Sequence, residues 1–186
     1  MVKTNTKKLV ISSFFIALGV VLPQVFHIFG GKEAGSLLLP MHIPVLLAGF
    51  IVGYKYGFYV GILTPILSHF ITGMPPISPV PILPMMIFEL ATYGLVSGIL
   101  YQKLKQNLFV SLFGAMITGR IAYAIVMWGL INIFGISFPA GMSIITSVTS
   151  GIPGIILQII LIPSIVQGLK FYQRKSENKK LYKGGF

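Results

Sequence analysis

The chain has 186 residues, of which 55% are hydrophobic and 9% charged, and its mean hydropathy is +0.90. A soluble domain carries about 25% charged residues, so this chain lacks the polar surface to cover a globule and reads as an all-α integral membrane protein. It has no cysteine, which excludes disulfides, thiolate nucleophiles and cysteine metal sites. Its net charge of +11 lies in clusters interrupted by long apolar runs, which points to basic connections and not to nucleic acid.

A spanning helix needs about 20 apolar residues. The first apolar run, about 9–29, follows Lys7 and Lys8; it is long for a signal-peptide core and no small-x-small cleavage pattern follows, so a retained helix is expected. Ser13 and Ala17 form a small-xxx-small pair on it. Further runs at about 37–54, 56–73, 82–101, 108–134 and 143–169 complete a six-transmembrane-helix bundle, one membrane domain over 1–186. Gly49, Gly53, Gly57 and Gly61 recur every four residues across helices 2 and 3, a spacing that lets helix backbones approach closely in lipid. Pro23, Pro65, Pro153 and Pro163 fall inside predicted spans and are expected to kink them. The run Met74–Pro81 is apolar and rich in proline, so it cannot be a regular helix; it reads either as a lid over the bundle or as a stiff linker. The charged, aperiodic segment 175–186 is expected to be a mobile cytoplasmic tail.

Basic residues set the orientation. Lys3, Lys7 and Lys8 precede helix 1, Lys55 separates helices 2 and 3, Lys103 and Lys105 follow helix 4, and Lys170, Arg174, Lys175, Lys179, Lys180 and Lys183 follow helix 6. With the N and C termini both cytoplasmic, all of these fall on one side, and only Lys32 and Arg120 are left over.

Two charges stand alone in the apolar interior. Glu89 is the only charged residue between Tyr56 and Gln102, and Arg120 the only one between Gln106 and Leu169. Ionisable groups inside a membrane mark ligand or ion pathways. Tyr93 shares a helix face with Glu89 at i, i+4. Arg120 lies ~18 Å along helix 5, near the midplane, with Tyr123 and Met127 on its face, Trp128 beside it and Asn132 beyond. A guanidinium near the middle with aromatic and amide groups outward of it reads as an outward-opening pocket for a small organic anion, because the guanidinium fork binds carboxylate through two parallel hydrogen bonds. The competing reading is a structural Glu89–Arg120 ion pair joining helices 4 and 5. His27, His42 and His69 are dispersed near outer helix ends without metal spacing and read as hydrogen-bonded interfacial residues; Gln158 is a weaker pocket candidate. No metal site is expected. There is no paired-carboxylate arrangement, no H-E-x-x-H, no Walker sequence and no G-x-S-x-G. A pocket without a motor suggests a binding subunit that takes its energy from partners. A small intramembrane enzyme acting on lipid would need clustered acids or metal ligands that the chain lacks.

The stretches Leu39-Pro40-Met41-His42-Ile43-Pro44-Val45-Leu46-Leu47-Ala48-Gly49, Thr72-Gly73-Met74-Pro75-Pro76 and Glu89-Leu90-Ala91-Thr92-Tyr93-Gly94-Leu95-Val96-Ser97-Gly98 carry a resemblance. With the glycine series, they make the chain similar to the S-components (substrate-capture subunits) of energy-coupling factor (ECF) transporters, most like the pantothenate-specific branch, over nearly its whole length. The resemblance implies a multi-pass protein of the bacterial cytoplasmic membrane that is not itself an enzyme. It implies as partners a transmembrane T-component, two ABC-type ATPases that bind the ATP and Mg, a small-molecule vitamin and the lipid bilayer, with no nucleic acid and no cofactor in this chain. It also implies that the S-component topples in the membrane to deliver its ligand, and that the Ala-xxx-Ala position of the family, here Ser13-Phe14-Phe15-Ile16-Ala17, packs on the T-component. Family ligands sit in the outer half of the bundle, a region to which Glu89, Tyr93, Trp128 and Asn132 correspond, with Arg120 at its floor. Pantothenate is the vitamin expected; cobalamin or a pyridoxine-like compound is the alternative.

Overall fold

The computed structural model describes residues 4–139 and 141–183, and of these the side chains of 32–36, 144, 147, 148 and 176–183 stand outside the description. Among the described residues the chain is helical throughout: α1 (Asn5–Leu38), α2 (His42–Ile51), α3 (Tyr54–Thr72), α4 (Ile82–Gly98) running into a π-helical turn (Ile99–Lys103), α5 (Leu108–Asn132), α6 (Ile144–Ser150) and α7 (Ile152–Lys183).

Four helical stretches, Asn5–Gly31, Ile82–Lys103, Leu108–Asn132 and Ile152–Lys175, are long and apolar enough to cross a membrane. The second predicted helix is shorter than its apolar run. Its first residues belong to α1, which bends at Gly31 (φ 71) and ends where Leu39 turns left-handed (φ 49) before Pro40. Proline disfavours the α-helical region for the residue before it, so the chain turns there. α2 begins at His42, places Pro44 in its first turn, where the missing N–H costs nothing, and closes before Gly53 at φ 118. Ten residues rise only ~15 Å, about half of a bilayer core. α3 has 19 residues and thus the length to span. It carries Thr64 and Ser68 turned fully into the bundle, so its polar content is an inward-facing stripe. The sixth predicted helix is two: Gly151 separates α6 from α7. Pro153 therefore falls in the first turn of α7, where it is tolerated and does not kink a span, whereas Pro23, Pro65 and Pro163 lie inside their helices. α7 continues as helix through Lys183, across most of the segment where a tail is expected, and 184–186 lie outside the described residues.

α4 is the hub, packed against α2, α3 and α5. Glycine makes this possible. A Cβ on Gly57 would run into the carbonyl of Gly94, one on Gly94 into the carbonyl of Gly57, one on Gly61 into the carbonyl of Leu90, and one on Gly98 into the backbone of Tyr54. The four-residue glycine spacing is thus met by a second series on α4, and the backbones touch. Gln102 Nε2 donates to Phe50 O at 2.8 Å, satisfying a carbonyl at the end of α2, where Gly53 interrupts the helical ladder. Val45, Leu46, Ala48, Leu90, Leu112, Ala115 and Ile162 are completely buried around this seam.

Gly57→Leu is expected to lower the stability of the detergent-solubilised protein by about 1–3 kcal/mol or more, because the neighbour is backbone and cannot move aside. Gly168→Ala, at a glycine with no atom within 4 Å of the added Cβ, is the control. Thermal unfolding of both variants checks this, and equal melting temperatures would refute the seam.

Candidate ligand-binding site

Glu89 sits on the buried face of α4 and is 2% exposed; Arg120, on α5, is 16% exposed. Their ion pair closes with Arg120 Nη1 3.0 Å from Glu89 Oε1. Tyr93, one turn along α4, donates its hydroxyl to the same oxygen at 3.2 Å. Its ring lies against Gly119, where any Cβ would overlap it, so the glycine next to Arg120 creates the space that lets α4 and α5 close on the pair. On the other side of the carboxylate, His42 Nε2 stands 3.5 Å from Oε2, longer than a well-formed hydrogen bond, with its ring edge-on to Tyr93 at 5.3 Å between centroids. Three helices thus converge on one carboxylate.

The cluster borders a cavity of about 270 Å³, near the lower end of the ~300–1,000 Å³ usual for small-molecule clefts. Glu89, Arg120, His42 and Ser68 are among its polar lining residues; Met74, Pro75 and Pro76 from the α3–α4 loop, with Ile82 and Met86 of α4, supply apolar wall. Arg120 Nε and Nη2, both ring nitrogens of His42 and Ser68 Oγ are buried without a hydrogen-bond partner. Buried polar groups in proteins are nearly always hydrogen-bonded. Five that are not, all on residues that line one cavity, set this place apart from the rest of the interior.

The proline-rich loop folds onto this end of the bundle instead of running free. Pro76 O accepts the N–H groups of Ile82 and Leu83 at 3.0 and 3.1 Å, which satisfies the start of α4, and Pro75 O lies 2.8 Å from His69 Nδ1. Pro75 is buried, while Ile77, Ser78 and Pro79 remain exposed.

Of the residues expected at the site, the fold brings Glu89, Tyr93 and Arg120 together, with Tyr93 behind the carboxylate. Trp128 is 60% exposed and Asn132 is exposed, its amide donating to Trp128 O at 2.9 Å; neither lines the cavity. At about 100° per residue, Tyr123 and Met127 stay within ~60° of Arg120 around α5, whereas Trp128 and Asn132 are displaced by ~80° and ~120° to the same side. Nearness along the sequence put them with Arg120; helical phase takes them away. Gln158 is 1% exposed, and neither amide atom has a partner, but it does not line the cavity. Ser13 and Ala17 lie exposed on α1 among Leu9, Val10, Phe14 and Val21. His27 and His42, read from the sequence as interfacial histidines, line the cavity, and so do Ser68 and Ser150, which sequence reasoning did not single out. The signal for His42 was its place between Pro40 and Pro44, where a helix has to start; nothing marked Ser68 beyond its i, i+4 relation to Thr64.

The family model described as ECF transporter, substrate-specific component, matches residues 7–168, a stretch that holds every residue of the cluster and of the cavity wall. No curated protein and no solved structure gives a match.

Glu89→Ala leaves a guanidinium uncompensated in an apolar interior and is expected to cost about 3–5 kcal/mol. The double change Glu89→Leu with Arg120→Leu removes both charges and should recover most of that loss. Thermal unfolding in detergent distinguishes them; a double variant as unstable as the single one would show that the pair's charge is not what matters.

Proposed function

We propose, since the chain belongs to the family of ECF transporter substrate-specific components, that it captures an anionic vitamin, pantothenate, and delivers it inward. The family makes the chain the substrate-binding subunit of an ECF importer, a membrane protein that associates with a T-component and ATPases. The choice of ligand is carried by one observation: Arg120, which lines the cavity, spends Nη1 on Glu89 and keeps two further buried donors, Nε and Nη2, that have no protein acceptor. A ligand carboxylate supplies the acceptors, and Glu89 holds the guanidinium so that its fork is aimed before the ligand arrives. Such charge-assisted contacts contribute about 1.5–3 kcal/mol each. The dimethyl carbon of pantothenate would lie on the apolar wall of Met74, Pro75 and Met86. Trp128 and Asn132 take no part, because their face of α5 turns away. The cavity is far too small for cobalamin, and a neutral pyridoxine-like compound leaves the Arg120 donors unanswered.

The importer reading includes six passes through the bacterial cytoplasmic membrane with both termini inside, supported by the basic residues flanking α1, α2 and α3, the π-helical turn and α7. The cavity then opens outward, beneath the Met74–Pro81 loop acting as a lid. Two partner ATPases would power toppling of the bundle against the T-component. The exposed apolar face of α1 around Ser13 and Ala17 would provide the contact, since small residues let a partner helix come close.

Purified protein is expected to bind radiolabelled pantothenate, and Arg120→Lys, which keeps the charge but loses the fork, to bind at least ~10-fold more weakly. Panthenol, with an alcohol in place of the carboxylate, should bind wild type poorly. If wild type binds no pantothenate, or native mass spectrometry finds a different vitamin retained, the ligand assignment is wrong. Separately, Ala17→Trp should abolish co-purification with the T-component while pantothenate binding stays unchanged; intact co-purification would move the contact elsewhere.

A further inference from the structure

We infer that His42 is a second ligand-reading residue of the cavity, whose Nδ1 accepts a hydrogen bond from an O–H or N–H group of the bound anion. The inference rests on the anion-binding reading of Arg120 and deepens it. His42 opens α2, is 2% exposed and lines the cavity. Its ring is held on both sides: Nε2 faces Glu89 Oε2 at 3.5 Å, and the Tyr93 ring packs edge-on against it.

That setting selects a tautomer. The Glu89 carboxylate is ion-paired to Arg120 at 3.0 Å and receives the Tyr93 hydroxyl, so it acts as an acceptor with no proton to give. A hydrogen on Nε2 points a positive end at Oε2; a bare Nε2 would set its lone pair against an anionic oxygen. In a neutral imidazole one nitrogen is donor and the other acceptor, and the contact made by one decides the other. Nδ1 is therefore the acceptor, and it is buried with no protein donor.

Residues that line the cavity thus carry complementary unmet demands: donors at Arg120 Nε and Nη2, and an acceptor at His42 Nδ1. A simple carboxylic acid answers the first and leaves the second unpaired. A carboxylate that also carries a hydroxyl or an amide N–H answers both. A site built to bond such a group rejects analogues lacking it more sharply than an apolar pocket rejects a change of size.

The test compares wild type with His42→Phe against three compounds. These are pantothenate, the tert-butylacetyl amide of β-alanine, which lacks both hydroxyls, and the pantothenate analogue with an ester oxygen in place of the amide N–H. On wild type, one of the two analogues should bind at least ~10-fold more weakly than pantothenate, and in His42→Phe that penalty should vanish. A penalty equal in both proteins, or none in wild type, overturns the inference while the Arg120 reading stands. Absence of pantothenate binding by wild type sinks the reading beneath it. Nitrogen NMR of histidine-labelled wild type, with His27 and His69 assigned by substitution, keeps the question open to test if His42→Phe does not fold. An Nδ1 that is bare in the free protein and shifts when pantothenate is added is expected; an Nδ1 that carries a proton in the free protein overturns the proposal.

Discussion

The carboxylate of Glu89 and the guanidinium of Arg120, 3.0 Å apart and withdrawn from solvent, are the contact around which this bundle is arranged. Each charge alone would be costly in a hydrocarbon-like interior. Together they are tolerable only if α4 and α5 come close enough for direct contact and if other groups answer the remaining valences. Gly119 meets the first condition by admitting the Tyr93 ring, and the Tyr93 hydroxyl contributes to the second. The glycine seam extends the same requirement across the bundle, since Gly57, Gly61, Gly94 and Gly98 hold α3 against α4 with no side chain between them. That rigid hub fixes where Glu89 points.

The pair is satisfied only in part, and the proposed ligand site is built on the remainder. A structural ion pair in a protein interior would be expected to use its guanidinium fully, because every unmet donor costs free energy. Here Arg120 lines a cavity, uses Nη1 and leaves Nε and Nη2 without a protein acceptor. The two readings of Arg120, structural partner of Glu89 and ligand-facing cation, describe different nitrogens of the same side chain. Glu89 holds the fork in place, and the edge left over is the part that the proposed anion would answer.

The cavity owes its existence to two departures from regular structure. α2 is too short to fill the bundle from end to end, so the Leu39–Met41 turn and the first turn of α2 form a wall where a full-length helix would have occluded the space. The prolines of the α3–α4 loop prevent it from becoming helix and let Pro75 and Pro76 lie inward over the same space. A binding subunit has to exchange its ligand, and this wall is built from a loop with few regular hydrogen bonds, while the hub of α4 stays tightly packed.

The sequence by itself determined that this is a helical membrane protein, that Glu89 and Arg120 are exceptional, and that glycines at 49, 53, 57 and 61 bring backbones together. All three follow from one-dimensional properties: hydropathy, scarcity of charge and period. It carried the family resemblance as well, which the match over residues 7–168 bears out. The breaks at Leu39–Met41 and at Gly151 were hidden, because an apolar run looks the same whether it is one helix or two. Trp128 and Asn132, expected at the pocket, do not line the cavity, because adjacency to Arg120 in sequence is not a shared helical face. Only the tertiary structure decided that Glu89 meets Arg120, that Gly94 and Gly98 answer the glycine series, and that His42, far away in the chain, completes the surroundings of the carboxylate. Each of these is a contact between helices, set by which faces pack together, and the periodicity of a single helix carries no information about the neighbour it will meet.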